Sequence, residues 1–301
     1  MRKFWKKGFT LLLGTLLAVS LIGCGSSADG TGSTAGGSGT ANIVNIGVTG
    51  SLVSFNPFVM DMSEMNHYSS GLMFLPLVEL DQNLNFVPML ADSITTEDNL
   101  TFTVHIDDAA TWSDGTPVTT ADVEYTVRRL CSPVVANPYM MYYVFEGVDD
   151  ETGFVEENAD SVAGIRIVDD KTITFTVKSP MSLISFENGY ARYMHILPRH
   201  VIEKFSEAEL TTNEWFSHPD VVSGPYMVTD FDPEHYVSYT ANTKYFKGAP
   251  KIEKLNFKIV EGSQILAGLK SGGIDVTHPT MSNIPETDYE SVEALPNVTV
   301  T

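Results

Sequence analysis

The sequence predicts an α/β body, in the α+β manner: mixed sheets with helices interleaved irregularly among the strands. Two patterns carry this. Apolar and polar residues alternate with period two over 101–106 and 172–177, the mark of half-buried strands. Helix-period stretches are fewer and show no repeat that would make a regular βαβ array. Composition agrees, since 301 residues at 43% hydrophobic and 19% charged suit a globular chain with a sizeable core.

The first segment reads as an address. Arg2, Lys3, Lys6 and Lys7 precede an uncharged run over 8–22, the layout of an export signal. The run is shorter than the roughly 20 apolar residues that a membrane span needs. It ends in Leu21-Ile22-Gly23-Cys24, which resembles the bacterial lipobox. Cleavage would remove residues 1–23 and leave Cys24 as a lipid-modified N-terminus. Residues 25–40 are almost wholly Gly, Ser, Thr and Ala, so 24–40 reads as a flexible tether. Two acyl chains would meet the need for more than one anchoring signal.

The body opens with a strand at 43–48. Residues 165–168 and 172–177 flank Asp169-Asp170-Lys171 and read as a hairpin, and 237–239 and 255–259 read as further strands. The clearest helix starts at Thr119, an N-cap with Asp122 three residues on, followed by Val123, Val127 and Leu130 on one face. A second runs from about Pro198 to Phe205. A third covers 264–270 and stops at Ser271-Gly272-Gly273.

Charge and motifs narrow the function. The chain has 38 acidic and 18 basic residues, net −20. Such a surface repels phosphate backbones and anionic membrane faces, so no nucleic-acid partner is expected. No nucleophile elbow, P-loop, zinc-binding His pair or dinucleotide fingerprint occurs. The seven histidines are scattered and read as structural or solvated. Asp107-Asp108, Asp149-Asp150 and Asp169-Asp170 read as turns. With Cys24 modified, Cys131 stands alone and reads as a small buried hydrophobe. No enzyme activity, metal or cofactor is expected.

Two stretches carry a resemblance. One is Thr111-Trp-Ser-Asp-Gly-Thr-Pro-Val-Thr-Thr-Ala-Asp-Val123. The other is Ser223-Gly-Pro-Tyr-Met-Val228, followed by Asn242-Thr-Lys-Tyr-Phe-Lys-Gly248 and Leu269-Lys-Ser-Gly-Gly-Ile-Asp-Val276. In this order they resemble the oligopeptide/dipeptide-binding family (family 5) of extracellular solute-binding proteins, which feed ABC importers. The resemblance implies one lobe of a type II periplasmic-binding fold. Its main domain would comprise 41–77 and 196–276, with 78–195 as an inserted subdomain. The second lobe would begin at 277–301 and be mostly absent, as in a truncated chain. The ligand would be a short peptide held extended between lobes, or another small solute such as a nickel complex, haem or a sugar, and the partners an ABC permease and its ATPase. The protein would be a monomer tethered to the outer face of the membrane through Cys24. By the same resemblance, Asp61, Met62, Ser63 and Glu64 would face the ligand from a loop and offer it backbone groups, Met62 and Ser63 through backbone alone. Tyr139, Met140, Tyr142 and Tyr143 would form an aromatic wall. A peptide-sensing receptor without transport, or a fragment without function, would fit the same residues; an extracellular hydrolase ranks below them.

Overall fold

The computed structural model describes residues 42–300, apart from Met62, Pro138, Met140, Met141 and Asn158. The leader 1–23, Cys24 and the tether 24–40 therefore lie outside the described residues.

The alternating stretches become two antiparallel neighbours. Strand β5 (Thr101–Ile106) sits between β4 (Ala91–Thr95) and β7 (Thr172–Thr176), and β6 (Ile165–Ile167) closes the edge, so the order is β4-β5-β7-β6. The predicted 165–177 hairpin is this β6–β7 pair. Its turn is built as the sequence suggests: Asp169 Oδ1 accepts from the amides of Lys171 and Thr172, both at 2.8 Å. Phe102 and Phe175 point inward from this sheet, and Phe102 stacks on Phe186 of α3 (Leu183–Phe186) at a centroid separation of 4.2 Å.

A second sheet has five strands in the order β11-β1-β10-β9-β8. Strand β1 (Ile43–Val48) runs parallel to both β10 (Lys254–Ile259) and β11 (Val276–Thr277). Strands β8 (Tyr226–Asp232) and β9 (Tyr236–Ala241) continue it antiparallel. Helix α5 (Gly262–Ser271) connects β10 to β11 across β1, which lies between them. Beneath α5, Ile265, Leu269 and Ile274 pack with Val292 of α6 (Tyr289–Glu293) as a small separate core. A two-stranded ribbon, β2 (Val78–Leu80) with β3 (Phe86–Pro88), joins the two sheet regions.

Helix α2 (Thr120–Leu130) starts as its sequence predicts. The Asp122 carboxylate accepts from the Thr119 amide at 2.8 Å and closes a capping box. Its other oxygen accepts from the Arg199 amide at 2.9 Å, so one buried side chain caps α2 and the start of α4 (Arg199–Ile202). Helix α4 is therefore shorter than the 198–205 expectation: at Glu203 the helix ends and Phe205 closes a turn on Ile202. Helix α5 is two residues longer at its start than predicted.

The two sequence stretches that carried the resemblance touch each other. The Ser113 amide donates to the Val222 carbonyl at 2.8 Å, and the Val222 amide donates to Ser113 Oγ at 3.0 Å. Gly115, two residues on, has φ of 95°, the left-handed conformation expected of that turn. The Ser223-Gly224-Pro225 turn in turn grips the segment after the first helix. Amides of Ser223 and Gly224 donate to Met73 O, and that of Tyr226 to Leu72 O. Asn242 Nδ2 donates to Gly224 O at 2.9 Å, which explains an asparagine at that position.

Gly224 allows this approach because a Cβ there would sit 2.2 Å from Leu72 O, a backbone atom. Gly224→Ala is expected to destabilise the protein by about 1–3 kcal/mol through overpacking. A urea titration reads this as a lower midpoint at an unchanged slope; an unchanged midpoint would mean that the loop moves aside freely.

Candidate functional site

Two chain segments far apart in sequence meet at one place. The first runs from Asn56 to α1 (Glu64–Gly71). Asn56 is buried, donates from Nδ2 to Leu210 O at 2.7 Å, and accepts the Phe58 amide at 3.0 Å. Amides of Val59 and Met60 return to Asn56 O, which fixes a tight turn that delivers the chain to Asp61. Asp61 Oδ1 accepts from the Ser63 amide at 2.9 Å and from Asn66 Nδ2. Ser63 is the N-cap of α1, its Oγ accepting the Asn66 amide at 3.4 Å. Burial works to raise the Asp61 pKa, but the hydrogen bonds from Ser63 and Asn66 outweigh it and the carboxyl is held below its ordinary range.

The expectation of a loop over 61–64 thus needs one adjustment: Glu64 is the first residue of a helix. Its carboxylate lies 4.0 Å from Arg192 Nη2 and accepts from Thr280 Oγ1 at 3.3 Å. Met62 lies outside the described residues.

The second segment follows α2. The Asn137 side chain donates to Pro57 O at 3.1 Å and to Phe58 O at 2.8 Å, and accepts the Tyr139 amide at 2.8 Å. The expected aromatic wall divides here. Tyr139 and Tyr143 are exposed, at 45% and 44%, whereas Tyr142 is 1% exposed. Tyr142 packs on Phe145 at 5.6 Å between centroids and against Tyr190. It belongs to the interior, because the apolar ring finds the Phe145–Phe175–Phe186 cluster there. Met140 and Met141 lie outside the described residues.

Beneath α1 runs a polar chain that no local pattern foretells. His195 Nδ1 donates to Phe74 O at 2.8 Å, which leaves its Nε2 to accept from His67 Nδ1 at 3.0 Å. His67 Nε2 meets Glu79 Oε2 at 2.6 Å, and Arg192 Nε donates to the other Glu79 oxygen. Arg192 also reaches Tyr68 and Tyr193 hydroxyls at 3.3 and 3.4 Å. Burial alone would raise the Glu79 pKa; the bond and charge of His67, with help from Arg192, bring it down to about 2. Burial, with the His67 charge adding to it, brings His195 down to about 3. Tyr68 stacks obliquely on His278 at 4.6 Å, and these two line a cleft of about 240 Å³ with Leu255, Phe257 and Met281.

The described site presents exposed tyrosines, hydroxyls and ion-paired carboxylates. Burial pushes the Cys131 thiol up to about 12, so it stays protonated at neutral pH. Among the described residues no group of three or more His, Cys, Asp or Glu side chains is arranged to hold a metal ion, and no helix is long and apolar enough to cross a membrane.

Residues 85–301 match the family described as bacterial extracellular solute-binding proteins, family 5 middle, and the chain belongs to that family. A putative ABC transporter peptide-binding protein of Brucella ovis is 28% identical over 215 residues, covering 70% of this chain and 37% of that protein. The oligopeptide-binding protein AppA of Bacillus subtilis is 24% identical over 232 residues, covering 76% and 38%. The structure of Haemophilus influenzae OppA in complex with RPPGFSPFR superposes with a TM-score of 0.71 at 23% identity, covering 84% of this chain and 48% of that one. The fold is therefore that of OppA-like periplasmic binding proteins, and this chain spans about half or less of its relatives' length.

The polar chain makes stability pH-dependent. In the folded protein His195 is neutral down to about 3, whereas an unfolded histidine takes a proton near 6.5. Its contribution is complete above 6.5 and is lost as pH falls. Glu79 contributes fully above 4.5 and loses its share as pH falls towards 2. Stability should therefore drop on acidification. His195→Gln should flatten the slope of unfolding free energy between pH 4.5 and 6.5; an equal slope in chemical denaturation would remove His195 from the linkage.

Proposed function

We propose that this protein captures short peptides outside the cytoplasm and passes them to an ABC-type permease and its ATPase. Membership of the solute-binding family carries the reading, because the matched relatives include proteins named for peptide binding. The geometry is compatible with it. An extended peptide needs main-chain partners and roomy contacts for varied side chains. On this reading the 61–64 segment would offer the former, and the exposed rings of Tyr139 and Tyr143 would offer flat amphipathic faces. A further lobe closing over this face would sequester the ligand by hinge motion. On this reading 41–77 with 196–276 form the main domain, 78–195 the insert, and the segment from 277 leads towards the second lobe.

Residues 1–23 would direct export, and lipid on Cys24 with the 24–40 tether would hold the binding body at the outer membrane face. Cys24→Ser should move the protein from the membrane fraction to the soluble one; retention in membranes would refute the anchor.

Native mass spectrometry of the purified protein with alanine-based peptides of three, five and nine residues tests the binding role. Retention of at least one peptide at unchanged mass is expected. Folded protein that retains none would sink the peptide reading, and shortened peptides would favour a hydrolase.

A further inference from the structure

We propose that Asn137 is the positioning residue of the ligand site, tying the chain that bears Tyr139 to the Pro57–Phe58 turn that leads to Asp61, without touching the ligand itself. This rests on the peptide-capture reading above. The side chain is 4% exposed and uses both ends of its amide across a gap of about eighty residues in sequence. Its nitrogen holds the carbonyls of Pro57 and Phe58; its oxygen holds the amide of Tyr139. On one side, Tyr139 is two residues away. On the other, the Asn56 turn carries Phe58 to Asp61, with Met60 bonded back to Asn56. Each half of the site is thus a short, hydrogen-bonded arm leaving one shared amide.

The chain bears strain to place that amide. Ala136 has φ of 49°, a left-handed conformation that side-chain-bearing residues avoid. Its amide bonds to Ser132 O at 2.9 Å, closing a turn after α2 that aims Asn137 inward. An apolar side chain of the same size would fill the volume. It would not fix two directions at once, because dispersion contacts are non-directional and hydrogen bonds are not. Backbone strain of this kind is held where the surroundings over-determine it, and it concentrates at ligand sites.

A purely structural Asn137 and a positioning Asn137 differ in one measurable respect. If Asn137 acts through Tyr139, removing the ring should make the loss of Asn137 almost invisible to the ligand. A double-mutant cycle reads this by isothermal titration with whichever of the three alanine peptides the unaltered protein retains best. Asn137→Ala should weaken binding about tenfold in the unaltered background and less than about twofold in Tyr139→Ala. Thermal melting should show a similar loss of stability from Asn137→Ala in both backgrounds. If Asn137→Ala does not fold, Asn137→Ser, which keeps a polar group but cannot span the gap, takes its place. Equal losses of affinity in both backgrounds overturn the inference and leave peptide capture standing. Absence of peptide binding by the unaltered, folded protein overturns both.

Discussion

Helix α1 is a polar helix that has to be buried, and its surroundings are arranged to make that tolerable. Asn66, His67, Ser69 and Ser70 are all at or below 1% exposure, and burying such groups unpaired would cost several kcal/mol. Asn66 accepts from the amides of Val53 and Ser54 and Ser70 donates to Phe55 O, whereas Ser69 is held by its carbonyl, which accepts from Tyr239 OH, and its buried hydroxyl has no partner among the described residues. His67 is held through Glu79, Arg192 and His195. A buried ion pair needs its remaining hydrogen-bonding capacity filled to be stable, and here two tyrosine hydroxyls and a backbone carbonyl supply it. The helix is thereby pinned along its length. Its first turn begins at Glu64, the end of the candidate ligand segment, and its last turn leads into the stretch of backbone gripped by Gly224.

This explains how the candidate surface is assembled without a local motif. Asp61 and Ser63 are tied to α1 through Asn66, and Tyr139 is tied to Asn137. Neither arm carries information about the other in its own sequence. Glu64 is the point where a third region joins, since it meets both Arg192 and Thr280. Thr280 lies in a stretch tied to β1 by bonds from Thr49 to Met281 O and between Asn283 and Thr49 Oγ1. Glu64, the buried ion-paired chain and the segment beyond β11 are therefore mechanically continuous.

Much of the fold was legible because its signals are local. The 101–106 and 172–176 strands alternate, Thr119 and Asp122 form their capping box, and the glycines after Ser271 stop α5. Helix α1 was invisible for the opposite reason: Glu-Met-Asn-His-Tyr-Ser-Ser-Gly has no apolar stripe, because its buried face is polar. The division of the aromatic wall was equally hidden. Tyr139, Tyr142 and Tyr143 look alike in sequence, and only the neighbouring Phe145 and Tyr190 draw the middle one inside. The His67–His195 contact joins residues 128 apart, and single-sequence spacing has no access to it.

The interleaving of β1 between β10 and β11 carries a consequence for how the molecule comes together. Ile46 pairs with Phe257 on one side and Val276 on the other, so the earliest strand of the body waits for the latest ones. Until about 210 further residues have left the ribosome, β10 is not there for that strand to pair with, and β11 follows later still. Non-local pairing of this kind slows folding and lengthens exposure to aggregation. The four-stranded sheet, whose partners are nearer in the chain, can assemble first and serve as the platform on which the five-stranded one is finally sewn shut.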